Sequence, residues 1–451
     1  MRINKIQNSN YKTVVLRTHS LSLWIGLTIF ALLSSCISSP PRSTPKPTST
    51  PESIYFVDSD LGSDVNPGSQ AQPWKTIQKA ANTAFAGDTV MVIAGNYAER
   101  VNVTRAGIVF QANGHVTMQG FTISANNVTV NGFYITDTPG IGNDGHGFYI
   151  SGSNCVIENN HIYYATRGGI RFTPSTSGCI VKNNKFERNS QYGIEIHGTN
   201  HLVEGNEIWG TIQYHPTWTN PPDWVDADGI SFFGSGHIIR NNYIHDIYYG
   251  IPENINPHID CFQTFSDTTY HEVATNILME GNTCINQDAQ TALEKGNGFM
   301  IGGGDLASGG ASNLIIRNNL IIAYRGLFAT YTSNLTITNN TFVGKIPQTN
   351  GLDEYGLFLQ NVANALIQNN IFYNIVGTSC NIHGGTSNGN LFYITPGEGY
   401  LRCSPIESDL WNINPLFINP SAGDYHLQAG SPAIDAGVGG VTIGAYGLPA
   451  P

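Results

Sequence analysis

The clearest order along the chain is a recurring motif: an apolar pair, a polar residue, Asn-Asn or Gly-Asn, then an apolar residue again. It reads Val128-Thr-Val-Asn-Gly, Cys155-Val-Ile-Glu-Asn-Asn, Cys179-Ile-Val-Lys-Asn-Asn, His201-Leu-Val-Glu-Gly-Asn and His237-Ile-Ile-Arg-Asn-Asn. It continues at Ile277-Leu-Met-Glu-Gly-Asn, Leu314-Ile-Ile-Arg-Asn-Asn, Leu335-Thr-Ile-Thr-Asn-Asn and Ala365-Leu-Ile-Gln-Asn-Asn. The closest copies stand 21 to 24 residues apart, a length that suits one coil of a β-solenoid. Stacked coils bring equivalent residues to the interstrand spacing of about 4.8 Å. The Asn side chains are then expected to stack as a ladder at a coil corner, where amides bond to one another and tolerate left-handed turns.

A second pattern precedes each ladder position and predicts another strand. It reads Gly145-His-Gly-Phe-Tyr-Ile, Arg167-Gly-Gly-Ile-Arg-Phe, Gln191-Tyr-Gly-Ile-Glu-Ile, Ala227-Asp-Gly-Ile-Ser-Phe, Ile259-Asp-Cys-Phe-Gln-Thr, Gly296-Asn-Gly-Phe-Met-Ile and Arg325-Gly-Leu-Phe-Ala. Alternation turns the Ile or Phe after Gly inward and the next residue outward, so an outer row Tyr149, Arg171, Glu195, Ser231 and Gln263 is expected. Trp74, Ile77, Ala80, Ala81 and Ala84 recur at helical spacing between Pro73 and Gly87, which predicts one amphipathic helix over the first coil.

Composition supports this all-β expectation, since 12% of residues are charged and 50 are Gly. A net charge of −11 with no basic cluster sets nucleic acid aside as a partner. At the N-terminus, Arg2, Lys5, Lys12 and Arg17 precede an apolar run from Leu21 to Leu33, too short for a comfortable membrane span and typical of a targeting segment. Its end, Leu33-Ser34-Ser35-Cys36, is similar to the lipobox of bacterial lipoproteins. That resemblance implies a signal peptide over residues 1–36, lipidation of Cys36, and a cell-surface protein held to a bacterial membrane; a plain secretory signal is the alternative. Residues 37–52, rich in Pro, Ser and Thr, read as an extended tether. Residues 53–451 form the remaining domain.

Six further cysteines fall into the pairs Cys155/Cys179, Cys261/Cys284 and Cys380/Cys403, each about one coil apart. Equivalent places on adjacent coils lie within the roughly 4.4–6.8 Å between Cα atoms that a disulfide needs, and export permits such bonds. Buried free thiols are the alternative, above all because position 261 falls on a different strand from 284.

The stretch Tyr55-Phe-Val-Asp-Ser-Asp-Leu-Gly-Ser-Asp-Val-Asn-Pro-Gly, with Pro73-Trp-Lys-Thr-Ile-Gln-Lys-Ala and Ala86-Gly-Asp-Thr-Val, resembles the N-terminal cap of bacterial pectate-lyase-like proteins. Asn414-Pro-Leu-Phe and Tyr425-His-Leu-Gln-Ala-Gly-Ser-Pro-Ala-Ile-Asp-Ala-Gly resemble their C-terminal piece. The resemblance spans residues 53 to 447. It implies a right-handed parallel β-helix with an N-terminal capping helix, acting as a single chain on a polysaccharide; the superfamily holds lyases, hydrolases, epimerases and proteins with no assigned activity.

Between residues 206 and 318 the ladder spacing expands to 36, 40 and 37 residues, so extra segments leave the coil as loops. They carry Trp209, Tyr214, His215, Trp218, Trp224, His258, His271 and Lys295; Trp218 and Trp224 are candidates for stacking on sugar rings. Asp228 and Asp260 occupy the same corner position on neighbouring coils, with Asp226 and His258 two residues before them. Close carboxylates split into one acid and one base, as glycoside hydrolysis requires. By resemblance to polygalacturonase-type hydrolases, Asp226-Ala-Asp-Gly and Ile259-Asp-Cys imply Asp228 as base and Asp260 as acid, although Ile259 replaces an acidic residue and Asn297-Gly-Phe-Met-Ile-Gly lacks the family's His. Alternatively Asp226, Asp228 and Asp260 hold Ca²⁺ that bridges to a uronate, and Lys295, Arg171 or His258 acts as base or charge partner in a lyase. Arg171, Glu195 and Gln263 are then substrate-binding candidates. A uronate polysaccharide lyase leads this reading, ahead of a hydrolase and of a non-catalytic glycan-binding surface protein. The bland alternatives are Asp residues that bond their own turns, a His258 bonded to its own loop, and an Arg171–Glu195 surface ion pair. Asp144 and His146, outside the expanded region, read as structural.

Overall fold

The computed structural model describes residues 52–140, 142–218, 226–247, 259–266, 271–286, 296–302, 310–344, 355–375, 377–393 and 408–447. Cys36, Trp224, His258, Lys295, Cys403 and the side chain of Cys380 lie outside the described residues.

Among the described residues, thirty-one strands join in one parallel sheet that coils on itself as three ladders. The first ladder carries the Asn motif and stacks Val156–Glu158, Ile180–Lys182, Leu202–Glu204, Ile238–Arg240 and Thr275–Glu280 in register. The second follows each Asn and stacks His161–Tyr163, Lys185–Glu187, Glu207–Trp209, Tyr243–His245 and Thr283–Asn286. The third is the strand with the outer row. Inward residues from all three ladders, such as Ile157, Ile208 and Ile230, make one continuous core. Ring stacking of Phe342 on Phe372, Phe372 on Phe392 and Phe392 on Trp411 continues it through the last coils.

The Asn-Asn pair splits its work. The first Asn takes the left-handed turn, as at Asn159, Asn183, Asn241 and Asn318 with φ of 55 to 57°, and Gly205 and Gly281 replace it where the motif reads Gly-Asn. The second is buried and bridges coils: the Oδ1 of Asn184 accepts from the backbone N–H of Asn160 at 2.9 Å, and the relation repeats through Asn206, Asn242, Asn282, Asn319, Asn340, Asn370 and Asn390 to Asp409. Each ladder amide therefore satisfies a corner N–H that no strand can reach.

The N-terminal helix runs over Ile77–Thr83, capped by Thr76, whose Oγ1 accepts from the N–H of Lys79, and buries Ile77, Ala80 and Ala81. The C-terminal piece does more than finish the last coil. Its antiparallel strands Phe417–Asn419 and Asp424–Leu427 belong to a second core with Leu320, Ile322, Val343, Ile371 and Leu391, the outer side chains of the second ladder. Tyr446 reaches Thr283 and the backbone of Ala445 reaches Thr341, so this segment lies along the flank of the second ladder.

Candidate functional site

The third ladder stacks Phe148–Ile150, Ile170–Phe172, Tyr192–Ile196, Asp228–Phe232, Asp260–Phe265 and Asn297–Gly302. Its register aligns Tyr149, Arg171, Glu195, Ser231 and Gln263 as the expected outer row, and extends it to Met300 and Phe328. Three residues earlier runs a second column in which Tyr192 pairs with Asp228 and Asp260 with Asn297. Between the two columns stand Gly193, Gly229, Cys261 and Gly298. A Cβ at Gly229 would meet the Cγ2 of Ile244 at 2.6 Å, so this position turns inward and leaves no space for a side chain. Cys261 is the exception: it bonds to Cys284, which holds the place of Ile244 on the next coil, with Cα atoms 6.0 Å apart. Cys155 and Cys179 are instead buried free thiols, contrary to the expected bond; the backbone N–H of Cys155 faces the Cys179 sulfur at 3.3 Å.

Two polar groups occupy the outer face. The first joins Asp226, Asp228 and Asp260. Asp228 is 2% exposed and Asp260 fully buried, while Asp226 is half-buried. The Gln263 amide donates to Asp226 at 3.0 Å and to Asp260 at 3.2 Å, Asn297 donates to Asp260, and Ser231 donates to Asp228 at 3.0 Å. The other oxygen of Asp228 is buried without a hydrogen-bond partner. Burial first, then the charges of Asp226 and Asp260, pushes the Asp228 carboxyl well above the usual carboxylate range. Three carboxyl groups drawn together, one of them raised well above the usual carboxylate range, suit proton sharing.

The second group lies one to three coils earlier. Arg171 pairs with Glu195 across adjacent coils at 3.1 Å, but with Glu195 only 7% exposed this is no loose surface pair. His197, fully buried, contacts Glu195 at 2.8 Å through Nε2 and Glu272 at 2.7 Å through Nδ1. Burial alone would raise the Glu195 carboxyl, yet the His197 hydrogen bond and the Arg171 charge outweigh it and hold the group at about 2. His146 meets the Tyr192 hydroxyl at 2.8 Å, and burial pushes its ring down to about 3, so it is neutral. Burial and the Glu195 charge push the Tyr192 hydroxyl up.

His146 and Tyr192 were missed by pattern alone, because their contact spans 46 residues; His146 belongs to the outer-face network, while Asp144 pairs with Arg100 at 3.1 Å. Trp209 is not a loop residue beside this face: it lies on the second ladder and stacks on His245. Trp218 is tied by its indole N–H to the carbonyl of Thr166 at 2.9 Å, near the coil that carries Arg171.

Residues 78–208 match the family model described as right handed beta helix region, which agrees with the three-ladder coil. The fold is a right-handed parallel β-helix. The β-helix is 22% identical to the uncharacterized protein YwoF of Bacillus subtilis (strain 168) over 482 residues, covering 91% of this chain and 98% of that one. Among solved structures it resembles the A-module of the Azotobacter vinelandii mannuronan C-5 epimerase AlgE6, with a TM-score of 0.51, 13% identity, and 79% and 99% of the two chains covered. It also resembles pectate lyase Pel9A, with a TM-score of 0.45, 14% identity, and 88% and 96% covered. At these identities the likeness concerns the fold.

Proposed function

We propose that the outer face of the third ladder cleaves glycosidic bonds of a polysaccharide by acid–base catalysis, with Asp228 as proton donor. The observation that carries this is the buried Asp228 carboxyl grouped with Asp226 and Asp260, which Gln263 bridges; burial and the two like charges raise Asp228 well above the usual carboxylate range. General acid and base roles need one carboxyl that holds its proton beside another that accepts one. Asp228 gives its proton to the departing glycosidic oxygen, and half-buried Asp226 activates the water that attacks the anomeric carbon. These roles differ from those implied by the polygalacturonase resemblance, in which Asp228 is the base and Asp260 the acid. The fold shared with a mannuronan epimerase supports a polysaccharide substrate. Export and anchoring through Cys36 would bring the enzyme to such a polymer outside the cell.

A lyase is the second reading, on one observation: the Arg171 side chain, paired with Glu195 at 3.1 Å, is 26% exposed on the same row, where its charge would meet a uronate carboxylate. The deciding measurement is a polysaccharide panel assayed for new reducing ends and for the ultraviolet absorbance of an unsaturated uronate. Reducing ends without that absorbance, lost in Asp228→Asn, support hydrolysis; unsaturated product lost in Arg171→Met but kept in Asp228→Asn supports the lyase.

A further inference from the structure

We infer that Glu195, His197 and His271 form a binding site for a divalent first-row transition metal, separate from the Asp226–Asp228–Asp260 group and independent of the cleavage reaction proposed above. One ligand atom from each of the three residues lies within 4.8 Å of the other two. Glu195 and His197 are two residues apart at the end of strand Tyr192–Ile196, which brings both side chains to one face. His271 arrives from the turn before Thr275–Glu280, two coils further on.

Three features fit a metal better than a set of hydrogen bonds alone. The Glu272 carboxylate holds Nδ1 of His197 at 2.7 Å, fixing the ring so that Nε2 faces Glu195 at 2.8 Å; a carboxylate on the far nitrogen is how metal-binding His rings are oriented. Aromatic rings wall the place: Phe233 lies 4.9 Å from His197 and 4.4 Å from His271 between centroids, and Phe265 lies 4.6 Å from His271. Two imidazoles with one carboxylate are ligands for Zn²⁺ and its first-row neighbours, not for Ca²⁺. With bonds of about 2.0–2.1 Å the ligand atoms would sit ~3.4 Å apart, so the pair at 2.8 Å opens slightly and the widest pair closes. Nε2 of His197 then binds the ion in place of the contact it makes with Glu195. Three protein ligands leave a further position for water or a substrate oxygen.

The test uses the full chain stripped with a chelator, checked for fold by circular dichroism, and dialysed against Zn²⁺ or Co²⁺ alone. One equivalent of either metal is expected, with a Co²⁺ visible spectrum of nitrogen and oxygen ligation. His271→Ala, at a half-buried position, should weaken binding at least a hundredfold, and Glu272→Gln by about 10–100-fold. Asp228→Asn should bind as the parent does. No stoichiometric binding by the folded chain, or unchanged affinity in His271→Ala, overturns the site.

Discussion

Asp228 illustrates how one position can be unfavourable for folding and useful for chemistry. Its folded carboxyl holds a proton far more tightly than an unfolded Asp does, so its contribution to stability is present at low pH and is lost as pH rises through the folded value. Asp228→Asn should therefore raise the melting temperature at pH 8 while lowering the cleavage rate about 10²–10⁴-fold, the range for losing a general acid. A lower melting temperature would instead make this carboxyl a structural acceptor for Ser231. The buried His201 and His237 act in the opposite sense on the pH axis. Burial pushes them to about 3 and about 4, below the roughly 6.5 of an exposed His, so they stabilise the fold above that value and lose the contribution as pH falls. Each should cost roughly 2 kcal/mol between pH 7 and pH 5, seen as a falling urea midpoint that flattens in His237→Asn.

At the scale of the element, the corner ladder is where each coil's turn is decided. Asn282 illustrates the connections: its Oδ1 accepts from the N–H and the amide of Asn242, and its own amide donates to the Ile239 carbonyl and to Asn319. Asn282→Ala would strand several buried polar groups, so a loss of about 3 kcal/mol is expected in urea denaturation. Asn282→Asp should be nearly as costly, since the carboxylate cannot donate. The Asn ladder and the outer row were both legible from spacing, because each coil repeats the same local choice. The inward column of Gly193, Gly229 and Gly298 was legible only as a motif. Its reason, contact with second-ladder residues such as Ile244, also explains why Cys261 bonds to Cys284, the pair that sequence reasoning doubted.

For the whole molecule, stacking makes each coil depend on its neighbours, and the two ends need different solutions. A short helix buries Ile77, Ala80 and Ala81 at the start, while residues 414–447 run back along the second ladder and cover Leu320, Ile371 and Leu391. With Cys36 as the lipidated residue, the full chain is expected in the membrane fraction, and Cys36→Ser should move it to the soluble fraction; equal distribution of both would remove the anchor.

The sequence by itself determined the architecture: the repeated Asn motif, the alternation around it and the helical spacing between Pro73 and Gly87 are local signals, and a solenoid is built by repeating local signals. It also determined the outer row through Gln263, because the same short motif marks this strand on every coil, whatever the length of the loop between. Only the tertiary structure decided what meets on that face. Coils of unequal length bring Glu272 to His197 across 75 residues and His146 to Tyr192 across 46, and they bury Asp228 between Asp226 and Asp260. Protonation depends on burial and on neighbouring charge, and neither belongs to any one stretch of chain.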